Sequence, residues 1–169
     1  MRPPDFIRNI LWRKQFKKAL SQRQSIRLAG GGWLVVYDGR DAQQVALARL
    51  IFEKQQASGC MLAAYEAQNA PHGTLVLTAE NISHSKLPPP AMLHEVQAKH
   101  FMLSVLLAPN PEPCLQYLMA IAHSYRTVAV NPHKNNDLCQ LEISWPECDA
   151  QTAFERLYAQ LKTYISDVV

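Results

Sequence analysis

Five consecutive apolar residues, Trp33-Leu34-Val35-Val36-Tyr37, stand between a glycine triplet, Gly30-Gly31-Gly32, and a turn-forming stretch, Asp38-Gly39-Arg40-Asp41. A run this short and this rich in β-branched and aromatic side chains reads as a strand. Both of its alternating side-chain sets are apolar, so neither face can meet water and helices must cover both. The segment from about Asp41 to Ala57 carries Val45, Ala48, Ile51 and Phe52 at helical spacing, with Leu50 less well placed and Gly59 as its stop. Cys60 to Tyr65 is a second apolar run. Residues 33–65 therefore read as a βαβ unit, with parallel strands and a right-handed crossover.

The pattern continues along the chain. A third strand is predicted at Thr74–Thr78, after the turn residues Pro71-His72-Gly73. Residues 79–90 are polar and proline-rich, a surface loop, and Ala91–Lys99 reads as a short helix. Phe101–Ala108 is predicted as a central strand. Asn110-Pro111 then reads as a helix cap followed by the first helical residue, with Leu115, Leu118, Met119 and Ala122 facing inward. Thr127–Val130 supplies the next strand and closes a second βαβ unit over residues 101–130. Cys139, Leu141, Ile143 and Trp145 alternate with Gln140, Glu142 and Ser144, which predicts a strand with one wet face near the sheet edge. Asp149 caps a last helix whose Phe154, Leu157, Tyr158, Leu161, Tyr164, Ile165 and Val168 keep helical spacing. The fold class is therefore α/β: three layers, a mostly parallel sheet from two βαβ units with an edge strand, and an added basic N-terminal helix. At 169 residues the chain is long enough to bury a real core.

Charge is divided unevenly. Residues 1–27 carry eight Lys/Arg and one acid, +7, which leaves −4 on the rest out of a net +3. The expected organisation is a basic amphipathic helix within residues 1–24 and a single α/β domain over residues 25–169. The helix is predicted from Phe6 to Gln22, after Pro3-Pro4 and an Asp5 cap. Trp12, Phe16, Ala19 and Leu20 share one face, and Arg13, Lys14, Lys17 and Lys18 lie opposite. Phe6, Ile7, Ile10 and Leu11 form a second apolar cluster, rotated away from the first. Such a helix either bends near Leu11 or sits between two bodies. Three functional readings follow: docking a protein partner, lying on an anionic membrane, or contacting nucleic-acid phosphates. Protein docking leads these three, a homodimer being one form of it, with Arg8, Leu11, Trp12, Lys14, Phe16, Lys17 and Lys18 as the partner-binding residues; otherwise the apolar face packs on the domain and the lysines are merely solvated. The acidic remainder of the chain argues against an extensive nucleic-acid footprint.

Familiar catalytic motifs do not fit. A phosphate-binding loop places glycines between a strand and a helix, but here the glycine triplet precedes the strand. The true strand-to-helix turn carries Asp38 and Asp41, which repel phosphate. His94 and His100 are six apart where a zinc protease needs four, and read as surface histidines with His100 starting a strand. There is no GxSxG elbow. Cys60, Cys114, Cys139 and Cys148 are scattered and read as buried, reduced thiols. No catalytic residue, metal ligand or cofactor is therefore assigned. A parallel sheet places ligands outside the carboxyl ends of its strands. That rule nominates Asp38, Arg40, Asp41, Asn131 and His133 as a strand-end pocket, with Asn110 and Lys134 beside it. Asp38 and His133 would be the acid–base pair of a small-molecule enzyme; otherwise Asp38 and Asn110 are caps and His133 a loop residue. No membrane-length apolar run is present, and because Arg8 and Asn9 interrupt Phe6–Leu11 no signal peptide is expected. The expected location is cytoplasmic, or peripheral to the inner membrane within a complex.

Three segments carry a resemblance. They are Gly31-Gly32-Trp33-Leu34-Val35-Val36-Tyr37-Asp38, Gly73-Thr74-Leu75-Val76-Leu77-Thr78, and the stretch from Val128-Ala129-Val130 through Asn131-Pro132-His133-Lys134-Asn135-Asn136-Asp137. Their order over residues 25–145 resembles RecA-like α/β cores that have lost the phosphate loop. Such cores occur in the bacterial cell-division inhibitor SulA and in the N-terminal domain of BcsE, a regulator of cellulose synthesis. The resemblance implies a non-catalytic scaffold that binds other proteins, in a secretion, cell-envelope or cellulose-synthesis assembly. It transfers no catalytic residue.

Overall fold

The computed structural model describes residues 5–22, 31–132 and 138–166. Six strands form one sheet: β1 Gly32–Asp38, β2 Cys60–Tyr65, β3 Leu75–Leu77, β4 His100–Leu106, β5 His123–Val130 and β6 Leu141–Ile143. Five helices accompany them: α1 Asp5–Gln22, α2 Ala42–Gln55 (followed by a 3₁₀ turn, Gln56–Ser58), α3 Pro90–Gln97, α4 Pro113–Ile121 and α5 Ala150–Ser166. Every strand pair is parallel, and the spatial order is β3-β2-β1-β4-β5-β6. The expected three-layer α/β class is what the chain adopts, with the sheet parallel throughout.

Alternation along β1 explains the layering. Leu34 and Val36 face a core shared with Leu115 and Leu118 of α4, Val96 of α3 and Ala19 of α1. Trp33, Val35 and Tyr37 face the opposite core, with Leu47 and Ile51 of α2 and Leu157 and Leu161 of α5. The sheet therefore lies between an α1–α3–α4 layer and an α2–α5 layer. Both predicted βαβ units are present, as β1-α2-β2 and β4-α4-β5, and β3-α3-β4 forms a third. β4 is central, between β1 and β5.

Several boundaries differ from expectation, each for a local reason. α4 begins at Pro113, with Glu112 rather than Asn110 in the cap position. A residue before proline is pushed to extended backbone, and Glu112 has ψ 148, so the helix cannot start at Pro111. On α2 the buried side chains include Gln44 and Leu47, which the apolar spacing had not singled out. The alternating segment after Cys139 forms only three residues of strand. Its ladder stops because the Trp145 N–H donates to the side chain of Asn131, 2.8 Å away, instead of to a strand. Cys139 packs into the α4-side core and Trp145 into the α5 side. Both edge strands are thus short, a form that discourages edge-to-edge pairing.

α1 is one helix, and its faces settle where it sits. Ala19 is buried, and Phe16 and Leu20 pack beside it against the α4-side core. Trp12 stacks on Phe16, ring centroids 4.7 Å apart, and its Nε1–H donates to the Pro113 carbonyl at 3.1 Å. Phe6, Ile7, Ile10 and Leu11 stay exposed. Asp5, expected as the cap before Phe6, is instead the first residue of α1. His133 and Lys134 lie outside the described residues, as do, after α5 and within it, Val168 and the side chain of Ile165.

Candidate functional site

In the doubly wound order, neighbouring strands send their following helices to opposite faces at one point, and a crevice opens there. Here that point is between β1 and β4. From β1 the chain turns toward α2, and from β4 it turns toward α4. The loop after β1 holds Asp38, Gly39, Arg40 and Asp41. The loop after β4 ends in Glu112.

Arg40 spans this crevice. Its guanidinium lies 2.6 Å from a carboxylate oxygen of Asp38 and 2.9 Å from one of Glu112, across 72 residues of sequence. It also sits over the Tyr65 ring at the end of β2, 4.8 Å from the centroid. Asp38 receives two further bonds, from the Arg40 backbone N–H and Nε–H. Partial burial works to raise the Asp38 carboxyl, but Arg40's hydrogen bonds and charge outweigh it and hold it below the usual carboxylate range. The same contact with Asp38 raises Arg40 further.

The rest of the turn is equally committed. Asp41 caps α2, accepting from the N–H groups of Gln43 and Gln44. Buried Gln44 accepts from the Asp38 N–H and donates to Asp41. Gly39 passes so close to the following loop that a Cβ there would lie 2.3 Å from Cα of Ala67. Asn131, at φ 45, accepts from the Trp145 N–H with its side chain and donates its own backbone N–H to the Ile143 carbonyl.

Of the expected strand-end pocket, the structure brings together Asp38, Arg40 and Asp41 in one self-bonded turn. It places Asn131 two strands away, beyond β4, at the end of β5. Asn110 is exposed and caps nothing. His133 lies outside the described residues, so its pairing with Asp38 does too. Glu112, Tyr65 and Gln44 were missed. Glu112 had one signal, its place before Pro113 in the loop that follows a central strand.

The chemistry available at the crevice is limited. Cys114, the nearest thiol, is buried, which together with Glu112 pushes it up to about 12, so it stays protonated at neutral pH. Cys60 is likewise pushed up to about 12 by burial. None of the four cysteines is in a disulfide, and only Cys114 is fully buried, where burial of all four was expected. Two cavities among the described residues lie elsewhere. One, of about 390 Å³, opens at the amino ends of β1, β2 and β4 beside Trp33, Lys99 and His100. The other, of about 200 Å³, lies between α1 and α4 beside Lys18, Tyr117 and His123. The His100 and His123 rings stand 5.7 Å apart on paired strand positions. Among the described residues no group of three or more His, Cys, Asp or Glu side chains is placed to hold a metal, and no helix is long and apolar enough to cross a membrane.

The partner-binding residues predicted on α1 divide by face. Trp12 and Phe16 turn inward, and Arg8 donates to the His84 carbonyl at 2.6 Å and pairs with Asp5 at 3.1 Å. Leu11, Lys14, Lys17 and Lys18 are exposed. The chain matches no family model, no curated protein and no solved structure.

Proposed function

We propose that this protein is a non-catalytic adaptor that works by contact with other macromolecules, with the outward face of α1 as its docking element. The observation that carries the reading is the division of α1. One face is locked onto α4 through Trp12, Phe16 and Ala19, while the other exposes Phe6 and Ile10 at 64% and 60% of their surface. A helix that already satisfies its core has no folding reason to keep four large apolar side chains in water. At the strand ends the polar groups are consumed in capping and closing their own loop, which also favours a scaffold. On this reading the body is a RecA-like core in which Asp38 and Asp41 stand where a phosphate loop would place glycines.

Photo-cross-linking from position 10 tests it. A photoreactive residue in place of Ile10 should give abundant adducts in cells, and one in place of exposed Glu53 on α2 should give few. Equal, background labelling from both positions would remove the docking role of α1.

A further inference from the structure

We propose that the outward face of α1 seats the protein on an anionic lipid surface. The apolar first turns enter the acyl boundary, and the basic turns that follow rest on headgroup phosphates. This rests on the reading of the outward face of α1 as the docking element and names the surface that face docks on.

The argument begins with angular placement. At about 100° per residue, Phe6, Lys17, Ile10 and Lys14 fall within one quarter-turn, and Ile7, Lys18 and Leu11 extend it. Arg8, Ala19, Trp12, Phe16 and Leu20 occupy the opposite half, which the body covers. The outward half therefore carries apolar residues in its first two turns and cations in the next two, on the same side. An isolated amphipathic helix separates the two around its circumference. This one separates them along its length, because its other side is already taken.

Among the described residues the cations have no competing ion-pair partner. Arg13, Lys14, Lys17 and Lys18 are all exposed, and none forms an ion pair among the described residues. Lysine is depleted from protein–protein interface cores, because its strongly hydrated ammonium resists desolvation. A lipid headgroup layer does not demand that desolvation, since the ammonium stays in the wet phosphate zone while its stem covers apolar surface. Stable peripheral attachment takes two signals, an apolar wedge and a basic patch, and this face carries both. The rest of the chain from residue 28 on is net −4, which repels an anionic surface and orients the protein with α1 toward it. Trp12 and Phe16 hold the helix at fixed roll, so little orientational freedom is lost on docking.

Co-sedimentation with vesicles of phosphatidylcholine containing about 30% phosphatidylglycerol tests the proposal. The full chain should pellet with these vesicles and not with pure phosphatidylcholine, and raised salt should release it. Phe6→Asp with Ile10→Asp should abolish pelleting. Lys14→Gln with Lys17→Gln should weaken it about 30-fold, since each basic residue near an anionic surface is worth roughly a five-fold factor. All four positions are exposed, and unchanged circular dichroism and melting would show that both variants fold. No pelleting by the full chain, equal pelleting with neutral vesicles, or binding retained by both variants would each overturn the proposal. Light scattering that shows a dimer dependent on Phe6 and Ile10, without vesicle binding, would assign the face to a second copy and overturn it too. Protein adducts from position 10 without vesicle binding would overturn the lipid assignment and leave the adaptor reading standing. Neither adducts nor vesicle binding would end both.

Discussion

At the residue scale the Asp38–Arg40–Glu112 bridge is the sharpest feature, and its pH behaviour follows from sign alone. The folded state holds Asp38 below the ordinary aspartate value of 3.8. The ionised form is therefore favoured by folding, so the contribution is present above 3.8 and lost as pH falls through the lower folded value. Asp38→Asn should lower the melting temperature at about pH 6, and the gap to the parent should close as the pH falls through the lowered folded value of Asp38. A gap that persisted in acid would mean that the side chain acts through shape, not charge. Half of this bridge was legible. Asp38 and Arg40 follow an obvious strand and are two residues apart, so a turn contact is a local inference. Glu112 was not, because its partner is 72 residues away and only the adjacency of β1 and β4 brings them together.

At the element scale α1 shows how tertiary contact overrides composition. A helix of 18 residues with five cations and one acid gains little from its own side chains and is marginal in water. It persists here because Ala19 is buried, Phe16 and Leu20 pack half-buried beside it, and Trp12 bonds to Pro113 at the start of α4. Trp12→Ala removes a hydrogen bond and an aromatic stack, together about 2 kcal/mol. Amide exchange in α1 should then speed up markedly while β1 and β4 keep their protection. Uniform acceleration across the sheet would show instead that α1 is integral to the folding unit. The two apolar clusters on this helix were visible in the sequence. Which one would be covered was not, since both are apolar and only the position of Pro113 and α4 selects the Trp12 face. The end of β6 has the same character: a period of two ran from Cys139 to Trp145, yet the Asn131 side chain captured the Trp145 N–H and ended the strand early.

At the scale of the whole molecule, two apolar cores share one sheet. Leu118 on α4 and Leu157 on α5 lie on opposite sides of it, both fully buried. Because β1, β2 and β4 each contribute residues to both cores, loss of packing on either side weakens the same sheet. Leu118→Ala and Leu157→Ala should each cost about 2–5 kcal/mol, and each should shift a single urea transition seen alike by fluorescence and circular dichroism. Two separable transitions would mean that the layers unfold independently. The amino-acid sequence by itself determined the α/β class, the parallel pairing and the positions of most elements. Those follow from short-range periodicity: continuous apolar runs demand cover on both faces, and intervening helical spacing supplies it. The order β3-β2-β1-β4-β5-β6, the crevice between β1 and β4, the bridge closed by Glu112 and the choice of which α1 face stays in water were decided only by the tertiary structure. Each depends on which distant segments become neighbours, and local spacing carries no information about that.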